Sequence, residues 1–176
     1  MQSADLDIFL LRILNSGFTP AISVFFVFAS YFLYAYVSFL VFYFWRTKQK
    51  IRLVHFIIVL AVGLLLVYFL KYSIARPRPY ETYTDIKTAI IKSDPSFPSS
   101  HVFVSFLCLH FIPKRPKLVK ILAIVYLAGL MPFGSVYMGV HFPSDVLVAA
   151  IIGLLIPILI LERVAIRVTK SLSSHF

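Results

Sequence analysis

Uncharged apolar runs recur along this chain at a length set by the hydrocarbon core of a bilayer, which takes about 20 residues of helix to cross. The clearest is AISVFFVFASYFLYAYVSFLVFYFW at residues 21–45, which ends in aromatic residues suited to a membrane interface. Others occupy residues 53–70, 121–137 and 146–161. A shorter one, residues 101–112, spans a bilayer only if it begins inside the preceding loop or if the bilayer is locally thin. The whole 176-residue chain is 60% hydrophobic, with a mean hydropathy of +0.92, and only 14% charged, too apolar for an ordinary soluble domain. These features predict an all-α, polytopic membrane bundle of about five transmembrane spans in a single domain, residues 1–176. Gly153 and Pro157 in the last run are tolerable in membrane helices.

Residues 1–17 precede the first span and carry Asp5 and Asp7 rather than a basic leader, so they are not read as a cleaved signal peptide. Leu6, Phe9, Leu10, Ile13 and Leu14 share one helical face. That predicts an amphipathic helix, lying at the membrane surface or against the bundle. The single Cys108 sits in an apolar stretch, where it excludes an intrachain disulfide and reads as packing.

The net charge of +10 would suggest nucleic acid in a soluble protein, but the basic residues lie in short clusters between apolar runs. With five spans, Arg46, Lys48, Lys50, Arg52, Lys114, Arg115, Lys117, Lys120, Arg163, Arg167 and Lys170 fall on one side, opposed only by Glu162. That side is predicted to be cytoplasmic. The other side holds Arg12, Lys71, Arg76, Arg78, Lys87 and Lys92, matched by Asp5, Asp7, Glu81, Asp85, Asp94 and Asp145, and is predicted to face outward. The cluster KYSIARPRPY at residues 71–80 therefore lies where an orientation anchor has no purpose, and a nucleic-acid patch has no basic surroundings there. A binding site for a particular anion remains.

Three outward-facing stretches abut span ends: residues 71–79, FPSSH at 97–101 and YMGVHFPSD at 137–145, the first two joined by the outward loop 73–98. Singly, each has an ordinary explanation: snorkelling for Lys71 or Arg78, a structural histidine for His101 or His141, a helix start for Ser99 and Ser100. Together they describe a phosphate cradle. A helix starting at Ser99 or Ser100 offers free N–H groups and the positive end of its dipole. Lys71 and Arg78 add fixed charge, and a guanidinium binds two phosphate oxygens at once. His141 and Asp145 are one helical turn apart, so the carboxylate can hold one ring nitrogen while the other attacks. His101 can protonate the leaving oxygen. Nothing in the cysteine and carboxylate pattern suggests a metal, and no cofactor is called for.

These stretches resemble the type 2 phosphatidic acid phosphatase superfamily, whose pattern is K-x-x-x-x-x-x-R-P, then P-S-G-H, then S-R-x-x-x-x-x-H-x-x-x-D. The first is complete as Lys71 to Arg78-Pro79, the second reads Pro98-Ser99-Ser100-His101, and the third is matched at His141 and Asp145. The resemblance covers residues from about 53 to 161. It implies that His141 is the nucleophile of a phosphohistidine intermediate, Asp145 its orienting partner and His101 the general acid. Lys71, Arg78, Ser99 and the amides near Ser100 would hold the phosphoryl oxygens, without metal. The family's Ser-Arg pair falls here on Gly134 and Ser135, so its second phosphate arginine is missing. Either turnover is slow, or the substrate tolerates a weaker clamp, or another residue such as Arg76 substitutes.

The expected function is hydrolysis of a lipid phosphomonoester or pyrophosphate at the outer face of the cytoplasmic membrane. Undecaprenyl pyrophosphate, phosphatidylglycerophosphate, phosphatidic acid and lipid A phosphate are substrates that the resemblance admits. The partners expected are the bilayer and the lipid phosphate, with no nucleic acid. A phosphotransferase using the same intermediate and a non-catalytic lipid-phosphate binding or transport protein are the alternatives.

Overall fold

The computed structural model describes residues 3–160 together with 164 and 167. The expected end of the fifth span at Leu161, together with Glu162, Arg163 and Lys170, lies outside the described residues. Within them every regular element is helical: α1 (Ser3–Ser16), α2 (Pro20–Arg46), α3 (Lys50–Ile74), α4 (Pro79–Thr82), α5 (Ser100–His110), α6 (Lys117–Ile124), a π-helical segment (Val125–Leu130), α7 (Met131–Tyr137) and α8 (Pro143–Leu159).

Among the described residues three helical stretches are long and apolar enough to cross a membrane: α2, the stretch Lys50–Thr82 that contains α3 and α4, and the run Lys117–Tyr137 formed by α6, the π segment and α7. The start of α2 follows from local chemistry, because Thr19 accepts the N–H of Ile22 at 3.3 Å and Pro20 opens the helix. The second expected span is longer than residues 53–70, so that Lys71 belongs to the last turn of α3. The two other apolar helices are shorter: α5 has 11 residues and α8 has 17, roughly 16 and 25 Å at 1.5 Å per residue. Among the described residues three candidate spans meet the length criterion, so the expected count of five is not reached by length alone.

The shortness of α5 has a physical reason. Val102, Phe103, Leu107 and Cys108 are fully buried among α2, α3, the π segment and α8, so this helix is the core of the bundle. Two glycines set its position. A Cβ at Gly63 of α3 would stand 2.2 Å from the Phe103 ring, and one at Gly153 of α8 would stand 2.5 Å from the Phe103 carbonyl oxygen. Around this core the outward faces carry Phe28, Phe32, Leu65, Phe69 and Leu159, each more than half exposed. A surface this apolar suits lipid.

Two local features direct the site. At the end of α3, Ala75 is left-handed, with φ 49° and ψ 39°, and its N–H donates to the Lys71 carbonyl at 2.9 Å. Such a conformation costs a non-glycine residue roughly 1–2 kcal/mol and reverses the chain sharply. The second feature is α1, which is built inside out. It buries Asp7, Leu11 and Asn15, spaced one turn apart, and exposes Leu6, Phe9, Leu10 and Ile13. Of the five residues expected on one apolar face, Leu6, Phe9, Leu10 and Ile13 are exposed and Leu14 is partly buried, whereas the two buried polar residues are new.

Candidate active site

Lys71 and Arg78 end up fully buried with their cationic heads converging on one acceptor, the carboxylate of Asp94. Lys71 Nζ lies 3.1 Å from Asp94 Oδ2, and Arg78 Nη2 donates to Asp94 Oδ1 at 2.8 Å. Their remaining donors go to backbone oxygens: Lys71 to Pro95 at 2.5 Å, and Arg78 to Val140 at 2.7 Å and Asp94 at 2.9 Å. A buried charge needs such partners. Burial pushes the Asp94 carboxyl up, but the Lys71 hydrogen bond and the Arg78 charge outweigh it and hold it at about 2. A carboxylate bridging two cations through its two oxygens has the geometry of two oxygens of a phosphoryl group.

Asp94 belongs to the loop between α4 and α5, and it lines, with its neighbours, a cavity of about 270 Å³. One end is polar: Lys71, Arg78, Asp94, Ser100, His101 and His141, with the hydroxyl-bearing Tyr34. The other walls are Leu33 and Val37 of α2, Leu60, Leu64 and Tyr68 of α3, and Val104 of α5. Residues 60, 64 and 68 are spaced one turn apart and lead along α3 to Lys71, so an apolar groove ends on the cationic pair.

The N-terminus of α5 carries the second part of the site. Ser99 precedes the helix, its N–H donates to the Asp145 carbonyl at 3.4 Å, and its fully buried hydroxyl has no hydrogen-bond partner among the described residues. An idle buried donor at a helix N-terminus, beside two cations, suits an anion. Ser100 lines the cavity, as does His101, whose Nε2 lies 3.1 Å from the hydroxyl of Tyr34.

The third part is the loop before α8. His141 is buried, and its Nδ1 stands 3.7 Å from Asp145 Oδ2, within Coulombic reach but longer than a hydrogen bond. That nitrogen has no hydrogen-bond partner among the described residues. Burial, reinforced by the Arg78 charge and opposed by Asp145, pushes His141 down to about 4, so its imidazole is neutral at physiological pH. Asp145 is held by Ser96 Oγ and the Phe142 N–H on Oδ2, and by Arg76 on Oδ1 at 2.7 Å. Catalytic hydrogen bonds are often long before substrate binds.

The structure thus gathers Lys71, Arg78, Ser100, His101 and His141 at one cavity, with Ser99 and Asp145 directly behind them. Arg76 is a correction: it does not reach the phosphate cradle, because its guanidinium is taken up by Asp7, Ser144 and Asp145 and lies 3.7 Å over the Phe142 ring. The reason is local. Pro77 and Pro79 hold the stretch near polyproline II, with Arg78 at φ −78° and ψ 154°. At three residues per turn, side chains two apart diverge by about 120°. Ser135 is also turned away, with its hydroxyl donating to Met131 O at 2.9 Å. Sequence reasoning missed Asp94, Tyr34, Ser96 and Lys92. Lys92 is a half-buried lysine whose pKa is lowered by burial and by the charge of Arg78, and its charge also acts on His101. Among the described residues no three His, Cys, Asp or Glu side chains gather as a metal-ligand set.

A family model described as the PAP2 superfamily matches residues 52–168. A curated phosphatidylglycerophosphatase B of Bacillus subtilis (strain 168) is 39% identical over 98 residues, covering 49% of this chain and 45% of the relative. The chain therefore spans about half the length of that relative. Among solved structures, Aquifex aeolicus LpxE superposes with a TM-score of 0.78 at 28% identity, covering 89% of this chain and 95% of that one. A transmembrane PAP2 type phosphatidylglycerolphosphate phosphatase from Bacillus subtilis shares the fold, with a TM-score of 0.69 at 24% identity over 89% and 83% of the two chains.

Proposed function

The chain belongs to the PAP2 superfamily, and on that premise we propose that it is an integral-membrane lipid phosphatase working through a phosphohistidine on His141. One observation carries the reading: an apolar groove between α2, α3 and α5 ends on two buried cations beside a buried histidine. The groove takes the lipid tail, and the cations take the phosphate.

An incoming phosphoryl group displaces the Asp94 carboxylate from Lys71 and Arg78 and gains the Ser99 hydroxyl and the amides at the start of α5. With Nδ1–H held by Asp145, His141 attacks phosphorus with the lone pair on Nε2. The bond to the leaving oxygen breaks as His101, which takes up a proton beside the bound phosphoryl anion, delivers that proton there. His101, now neutral, removes a proton from water, which attacks phosphorus. The P–N bond breaks, releasing inorganic phosphate and restoring His141. Lys71 and Arg78 neutralise the developing charge, the task a metal would otherwise have, which supports a metal-independent reaction.

The eleven basic residues assigned to one side by the sequence support a five-span topology with this site on the outer face of the cytoplasmic membrane, α5 and α8 being the two shorter spans. The relative's name supports phosphatidylglycerophosphate as the first substrate to try. Phosphatidic acid, undecaprenyl pyrophosphate and lipid A phosphate complete the panel.

The test is phosphate release from that panel in detergent with chelator present, comparing the parent with His141→Ala. The expected result is release by the parent and a loss of at least about a thousandfold in the variant. Activity that requires added metal, or that survives loss of His141, overturns the mechanism.

A further inference from the structure

A side chain outside all three motifs is linked through Arg76 to the carboxylate beside His141. Asp7 of α1 accepts the Ser144 N–H on Oδ1 at 2.8 Å, and on Oδ2 it accepts the Ser144 hydroxyl at 2.5 Å and Arg76 Nη2 at 2.8 Å. The other terminal nitrogen of Arg76 donates to Ser144 Oγ and to Asp145 Oδ1, both at 2.7 Å. One guanidinium is thus shared between Asp7 and Asp145, residues 138 apart in sequence, and the Phe142 ring below it fixes its plane.

We propose that Asp7 is a positioning residue for the reaction, holding Asp145 through Arg76 and Ser144 so that Asp145 can orient His141. The inference rests on the phosphohistidine reading above. The burial pattern of α1 argues for it: beside the fully buried Leu11, one turn away on the same face, α1 buries the Asp7 carboxylate and satisfies it with Ser144 and Arg76 rather than with groups of its own helix. Charge balance argues for it too. Two carboxylates on one guanidinium leave one net negative charge behind His141, which gains positive character when phosphorylated. Without Asp7, Arg76 would neutralise Asp145 alone, and the intermediate would lose that stabilisation. Lys71 and Arg78 would be untouched, so substrate binding should persist.

The experiment is steady-state phosphate release from phosphatidylglycerophosphate by full-length Asp7→Asn, Asp7→Glu, Arg76→Gln and the double variant Asp7→Asn/Arg76→Gln, with thermal unfolding in detergent as a folding control. Asp7→Asn is nearly isosteric and keeps an acceptor for Ser144. Its kcat should fall roughly 10- to 100-fold with KM unchanged, Asp7→Glu should recover part of the loss, and the double variant should be no slower than Arg76→Gln alone. Parental kcat in Asp7→Asn, a rise in KM matching the fall in kcat, or multiplicative effects in the double variant would overturn the inference. If these occur while His141→Ala is inactive, the inference fails alone. An inactive parent or an active His141→Ala brings down the phosphohistidine reading, and Asp7 then has no reaction to position.

Discussion

Two basic clusters sit at the two ends of α3, and they meet opposite fates. At its start, Arg46, Lys48, Lys50 and Arg52 are mostly exposed, and Arg52 rests over the Phe44 ring at 5.1 Å. At its end, Lys71 and Arg78 are each 1% exposed, sharing one carboxylate and a set of backbone carbonyls. The residue types and their place next to an apolar run are the same. What separates the two clusters is the partner inventory: the first is left mostly open to its surroundings, whereas the second is satisfied by groups that the fold brings from the loop between α4 and α5 and from the segment before α8.

The largest break in this comparison should come from removing a buried cation. Lys71→Ala or Arg78→Ala should lower kcat/KM by roughly 10²- to 10³-fold in the phosphate-release assay, because each also leaves Asp94 partly unpaired. Next is Asp94→Asn, which removes the competing charge from the cradle. Inhibition by inorganic phosphate should tighten about tenfold; weaker inhibition would mean that Asp94 organises the cations rather than competes for them. His141 offers a smaller, pH-resolved test. Its folded value is lowered from 6.5 to about 4, so its imidazole NMR signals in detergent should show the neutral ring down to about pH 4. Since the unfolded chain binds that proton first, stability should decline as pH falls from about 6.5 to about 4 and level off below. The smallest effect belongs to the other cluster: Lys48→Gln/Lys50→Gln should leave kcat/KM within about twofold, as surface charges distant from a site do.

The same contrast explains what the sequence made legible. Motif spacing at span ends carried Lys71, Arg78, His101, His141 and Asp145, because helix ends in a bundle fall at common depths. The apolar period of α1 was equally visible. The complementary set Asp7, Leu11 and Asn15 was also spaced at one turn, but polarity read as solvent exposure, and only the structure shows it turned inward. Asp94 and Lys92 stood in an irregular loop whose path depends on contacts such as Tyr80 with Lys92, at 2.9 and 3.0 Å, which no periodicity announces. Arg76 was misread because its direction depends on the left-handed turn at Ala75 and two flanking prolines, not on its distance from Arg78.

The pair Gly63 and Gly153, which closes on Phe103 from α3 and α8, has a consequence for inheritance. Phe103 follows the proposed acid by two residues, and α8 begins two residues after the proposed nucleophile, so the Gly153 contact ties together the two helices that bear these histidines. A methyl group added at either glycine would force Phe103 or its neighbours to shift without altering any group proposed to touch phosphate. Descendants of this chain can therefore change the packing behind the site through positions that carry no chemistry of their own.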